Sequence, residues 1–216
     1  MMNLAEYRRK GTRLADYLPW AALVAPGVVL NKDGSLQRSA RFRGPDLDSA
    51  VAAELVAVAG RINNAFRRLG SGWAIFVEAQ RVAAADYPDS RFPDPASALL
   101  DAERRAGFAE QGAHFQSEYV LTFLYLPPAE EAARAETWLY EGRDKTGIDA
   151  GEVLRGFIDR TDRVLALFDG IMPECRWMSD SETLTYLHST ISTQAHHVRV
   201  PETPAYLDAL LADQPL

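Results

Sequence analysis

With 216 residues, nearly half of them hydrophobic and a quarter charged, the chain is long and apolar enough to bury one sizeable core, which excludes disorder over most of its length. A net charge of -7 speaks against a nucleic-acid surface, where Lys and Arg would dominate. The single cysteine, Cys175, permits no intrachain disulfide, so the cytoplasm is the default compartment.

Residues 1–17 are basic and mixed, with Tyr7, Arg8, Arg9, Lys10 and Arg13, and suit one short helix ending near Tyr17. The apolar stretch Leu18 to Leu30 superficially copies a signal-peptide core, but Pro19 and Pro26 break the helix such a core needs and Asp16 lies against it. Gly27–Leu30 and Leu36–Arg43 flank the Gly-containing linker Asn31–Ser35, which predicts a β-hairpin. From Leu47 to Leu69 the apolar positions Val51, Leu55, Val58, Ile62, Phe66 and Leu69 step by three or four, the stripe of an amphipathic helix. Asp46 or Asp48 is expected to cap it and Gly70 to end it.

A strand follows over Gly72–Arg81, with Trp73, Ile75 and Val77 on one face and Phe76, Glu78 and Gln80 on the other. Asp94 and Pro95 suit the N-cap and first position of a largely exposed helix reaching to about Gly112. Glu118–Leu126 then forms a run of apolar, aromatic and β-branched residues without alternation, which reads as a central strand with both faces covered. A short helix is expected over Ala129–Tyr140, followed by the polar Glu141–Thr146. Asp149 with Glu152 resembles a capping box, and behind it Leu154, Phe157, Ile158, Thr161, Leu165 and Phe168 draw a second long stripe. Glu174–Met178 reads as a short strand, Asp180–Ile191 as a helix with Leu184, Leu187 and Ile191 inward, Val198–Val200 as extended, and Thr203 and Pro204 as the start of a last helix to about Ala212.

The order strand, long helix, strand, strand, long helix, strand predicts an α+β fold: a ferredoxin-like split βαβ sheet with two long helices on one face, an N-terminal β-hairpin and extra peripheral helices. The expected layout is an N-terminal arm over 1–26, a ferredoxin-like domain over 27–178 with insertions at 84–116 and 127–148, and a helical extension over 179–216. Gly27–Leu30 and Glu174–Met178 compete for one position beside Leu36–Arg43, and the sequence leaves that choice open.

Reactive residues are sparse in pattern. The nearest approach to a phosphate-binding loop is Gly142–Gly147, but Asp144 stands before Lys145 where a glycine is needed and would repel phosphate. His188, His196, His197 and Cys175 fit no familiar ligand spacing, and the plain readings are a partly buried His188 and a small hydrophobic Cys175. Asp159 and Asp162 are interleaved with Arg155, Arg160 and Arg163, the pattern of a solvated helix face with local ion pairs. Glu78 is the carboxylate to inspect for acid or base work. No catalytic, cofactor-binding or metal-ligating residue is assigned.

Several of these segments resemble the start of the TrbE conjugal-transfer proteins of the CagE/TrbE/VirB ATPase family of type IV secretion: Leu14–Ser49, Arg68–Arg81, Tyr87–Ser97, Tyr119–Pro128 and Glu182–Ser192. The similarity runs through turns and loops as well as apolar runs, so it is more specific than a hydrophobic pattern. It implies a cytoplasmic ATPase at the inner face of the bacterial inner membrane that energises pilus assembly or substrate transfer. Its Walker motifs, and hence its ATP and Mg, belong to a C-terminal domain that this sequence does not reach.

What the resemblance implies for this region is attachment to inner-membrane components of the secretion system and to neighbouring ATPase subunits, with indirect membrane association and no direct contact with nucleic acid. If the two long helices cover the face carrying Trp73, Ile75 and Val77, the opposite face holds Phe76 and, on the central strand, Tyr119, Leu121, Phe123 and Tyr125. Phe76, Tyr119, Phe123 and Tyr125 are therefore the candidate partner-docking residues. The bland alternative is that the helices from Ala129 and Asp180 fold over that face. A stand-alone enzyme would instead need a pocket where Glu78 or His188 meets other polar groups. A nucleic-acid module would need Arg61, Arg67, Arg68 and Arg81 clustered with exposed aromatics.

Overall fold

The computed structural model describes residues 12–84, 87–110, 114–128, 150–194 and 196–215. The basic segment before Thr12, the helix expected over Ala129–Tyr140, the Gly142–Gly147 loop and the Asp149 cap lie outside the described residues. The chain divides into two compact units, Met1–Val77 with Val120–Leu216, and Glu78–Tyr119.

The elements are α1 (Leu14–Tyr17), β1 (Trp20–Ala25), β2 (Val28–Asn31), β3 (Leu36–Arg43), α2 (Ala52–Phe66), β4 (Trp73–Ala83), α3 (Pro95–Glu110), β5 (Phe115–Tyr125), α4 (Ala150–Ala166), β6 (Glu174–Trp177), α5 (Asp180–Ser189) and α6 (Leu207–Ala212). The fold is α+β. The strands form one six-stranded antiparallel sheet in the order β1-β2-β3-β5-β4, with β6 also paired to β3.

The competition for the edge of β3 resolves by sharing. β2 pairs with its first half, Val28 opposite Arg38 and Leu30 opposite Leu36, and β6 pairs with its second half, Ala40 opposite Trp177 and Arg43 opposite Glu174. Eight residues of β3 thus supply backbone partners to two short strands in succession.

A strand over Trp20–Ala25 joins the expected hairpin as a third member. Pro26 and Gly27 turn the chain from β1 into β2, with Gly27 at φ +67°, the left-handed conformation the third position of a type II turn demands.

In the larger unit both faces of β2 and of the Val120–Phe123 stretch of β5 are covered. On one face, Ala65 and Leu69 at the end of α2 and Val164, Leu165 and Phe168 at the end of α4 enclose Ala40, Leu121 and Phe123. The stripe of α4 continues through Phe157 onto Val28, Leu30 and Leu36. On the other face, Leu184 and Leu187 of α5 and Leu207 and Leu211 of α6 pack on Val29 and Val120. Alternate residues of β2 and β5 therefore enter different clusters, which is why these strands show no polar face. Across β3 and β5 the buried hydroxyls of Ser39 and Thr122 satisfy each other at 2.8 Å.

The first long helix begins later than its stripe suggests. Val51 and Leu55 are exposed, and only Ile62, Ala65, Phe66 and Leu69 join the core. Neither Asp46 nor Asp48 caps it; Glu54 accepts the Val51 N–H at 3.0 Å, while Asp46 accepts the Asp48 N–H in a tight turn upstream.

In the smaller unit α3 starts as expected, with Pro95 in its first turn and Asp94 accepting the Ser97 N–H at 2.8 Å. It has no buried residue, and its Leu99 and Leu100 face solvent. Tyr87 ties the preceding loop to it by a hydrogen bond to Asp101 and an edge contact with Phe108, which in turn stacks on His114.

Candidate partner-docking surface

The faces of β4 and β5 in the larger unit follow from register. The Leu126 N–H donates to the Gly72 carbonyl at 2.8 Å, which sets Trp73 opposite Tyr125 and Ile75 opposite Phe123. Residues directly opposite in an antiparallel pair point to the same face. Phe123 and Tyr125 thus lie under the helices with Trp73, whose ring stacks between Phe157 and Tyr125.

This corrects the expectation for β5. Phe123 is 0% exposed and Tyr125 is half-buried against Trp73, so neither offers a docking surface. The cause is register: both faces of Val120–Phe123 are buried, so the sequence carries no alternation to phase the strand, and a slip of one residue exchanges the faces. Phe76, one residue off the Ile75 face, remains 55% exposed, as its alternation predicts. Val77, expected under the helices, is also exposed.

In the smaller unit Tyr119 is exposed. Glu78 accepts a hydrogen bond from the Gln80 amide at 3.0 Å, and the Arg81 guanidinium lies over the Phe115 ring at 4.4 Å.

The strongest polar constellation in the larger unit is not legible from spacing. Arg38 on β3 donates to the Asp162 carboxylate at 2.6 Å and stacks over the Trp177 ring at 3.8 Å, while the Trp177 indole N–H donates to the same Asp162 oxygen at 2.7 Å. Asp162 therefore clamps α4 to β3 and β6 rather than only decorating a solvated helix face.

A second constellation fixes α5. Ser179 caps the helix by accepting the Glu182 N–H, and Glu182 returns the bond from the Ser179 N–H while holding Arg176 in a two-pronged ion pair at 2.7 and 3.0 Å. The Arg176 guanidinium, with the Ser179 donors behind it, brings the Glu182 carboxyl from an ordinary 4.5 down to about 2. A lowered folded-state value means the stabilisation is complete above the unfolded value and lost as pH falls toward 2. Glu182→Gln should therefore destabilise the chain at neutral pH and much less near pH 2, read by urea unfolding at both. An equal loss at the two would contradict this role.

The histidines and Cys175 are placed apart in kind. Cys175 packs under α2 and α4, and burial, with Asp169 and Glu174 adding to it, pushes its thiol up to about 11, the state of an unreactive cysteine. His188 is buried in α5 with its ring 4.4 Å from that of His196, and burial lowers its affinity for a proton, the charge of His196 adding to the effect. His197 instead meets the Ser181 hydroxyl at 2.8 Å. Among the described residues no three metal-ligating side chains converge, and no helix is long and apolar enough to cross a membrane.

Comparison with known proteins defines the class. Residues 27–133 match the family described as the N-terminal domain of the type IV secretion system ATPase VirB4/TrbE. The chain is 42% identical over 139 residues to the first piece of a probable conjugal transfer protein TrbE of Sinorhizobium fredii, covering 63% of this chain and 93% of that protein. It is 35% identical over 228 aligned positions to the "Conjugal transfer protein TrbE" of Rhizobium radiobacter, where 98% of this chain aligns with 28% of that protein's length. The chain belongs to the TrbE family of conjugal transfer proteins and carries the N-terminal domain of its type IV secretion ATPases.

Proposed function

We propose that this chain is a docking and assembly module of a conjugal-transfer ATPase, attaching the motor to inner-membrane components of the secretion system and to neighbouring subunits at the inner face of the membrane. The observation that carries the reading is the family match over residues 27–133, together with Phe76, a large aromatic side chain left exposed on a strand whose other ring, Trp73, packs against the core. Tyr119 is its counterpart in the smaller unit.

The finer architecture belongs to the same proposal. The run β6-β3-β5-β4 with α2 and α4 on one face supports a ferredoxin-like split βαβ core within 27–178, in which β2 shares the edge of β3 with β6, while β1 is added beyond β2 and α5 and α6 on the second face. ATP and Mg are assigned to a region of the parent outside this chain, and transferred nucleic acid is assigned elsewhere too. Titrating ATP and Mg into the chain should leave its melting temperature unchanged, since a ligand specific to the native state must raise it by mass action. A saturable rise would sink the claim that nucleotide chemistry lies outside this region.

A further inference from the structure

The C-terminal half of α2 and the segment following α4 enclose a cavity of about 240 Å³, lined by Arg61, Asn64, Ala65 and Arg68 on one side and Leu167, Gly170 and Ile171 on the other. Arg61 and Arg68 are exposed and make no ion pair with any described residue, in a chain whose net charge is -7. Arg38, Arg105 and Arg176 are each held by a carboxylate, that of Asp162, Asp101 and Glu182 respectively. The helix dipole accounts for a cation at Arg68, just past the last turn, but not for Arg61, which stands more than a turn inside the helix. Leu167 is itself 38% exposed at the rim.

We infer that this groove receives an acidic amphipathic peptide segment of a partner protein. Arg61 lies on α2 and Arg68 in the turn just past its end, and both line the same side of the groove. Carboxylates on an amphipathic ligand meet these two cations, with its apolar side chains placed against Leu167 and Ile171. A bare phosphate would use the arginines and leave the apolar wall unmatched, and charge complementarity favours a carboxylate-bearing segment over another basic one. The inference rests on the docking reading above and names the chemistry of one partner.

The probe is a short fluorescein-labelled helical peptide with Glu at two positions seven apart and Leu three and four residues after the first, followed by anisotropy. It should bind the 216-residue chain with an affinity that falls as salt rises. Replacing its two Glu by Gln, or making Arg61→Gln with Arg68→Gln, should weaken binding by about tenfold or more. Both side chains are exposed, so the melting temperature of the variant should match that of the parent chain. Equal binding of the Glu and Gln peptides, or of the wild-type and variant chains, would overturn the inference. So would a single-stranded oligonucleotide that binds through the same arginines and displaces the peptide. If the wild-type chain and the double variant recover membrane components equally well, the groove is wrong and the docking reading stands. If the peptide binds through these arginines while no component is recovered, the groove stands and the docking reading fails.

Discussion

Phe123→Ala should destabilise the chain by about 3–5 kcal/mol, the range for emptying a fully buried phenylalanine site. The ring is completely enclosed, edge-on to Trp177 at 5.7 Å and surrounded by Leu121, Val164 and Phe168 from β5 and the α4 region. Those neighbours come from separate elements already fixed by the sheet and by the Arg38–Asp162 clamp, so they can close only a fraction of the void. Against a total stability of about 5–15 kcal/mol for an ordinary domain, such a loss takes a large share. Chemical denaturation reads it directly, and a change below about 1 kcal/mol would mean that β5 faces the other way.

Gly27→Ala should cost about 2–4 kcal/mol, combining the left-handed backbone penalty with an overlap that has no easy relief. A Cβ at Gly27 would sit 2.6 Å from the Met178 carbonyl oxygen, and the Gly27 N–H also donates to Asp180 at 2.6 Å, so the turn is held against the start of α5 from two sides. Gly70 supplies the internal comparison. It has a similar φ, +78°, but nothing lies within 4 Å of its virtual Cβ. Gly70→Ala should therefore cost only about 1 kcal/mol, the conformational penalty alone. Equal losses at the two positions would show that the contact with Met178 contributes nothing.

Much of the architecture is legible because the chain punctuates itself. The stripe of α4, the Asn31–Ser35 hairpin and the Asp94–Pro95 helix start all rest on local chemistry that acts within a few residues. β1 is hidden because Leu18–Leu30 reads as one apolar unit, although Pro26–Gly27 is itself a turn signal. The phase of β5 is not legible for a physical reason, since Val120, Leu121, Thr122 and Phe123 are all buried and alternation disappears when both faces are covered.

The candidate surface divides along the same line. Phe76 can be read from the alternation of β4, where Trp73 and Ile75 enter the core and Phe76 does not. The pairing of Arg61 and Arg68 with Leu167 and Ile171 cannot, because it joins residues about a hundred positions apart through the packing of α2 on the α4 segment. The sharing of β3 between β2 and β6 is likewise a long-range solution that neither strand announces.

The docking claim is tested most directly by expressing the tagged chain in conjugating cells and measuring how much of the inner-membrane transfer machinery is recovered with it, for wild type and for Phe76→Ser. Because Phe76 is already more than half exposed, the variant should keep its melting temperature within about 2 °C. The account predicts that the folded variant recovers about tenfold less of those components than wild type, as expected for loss of an aromatic anchor. A folded variant that recovers as much as wild type, or a wild-type chain that recovers none, would contradict it.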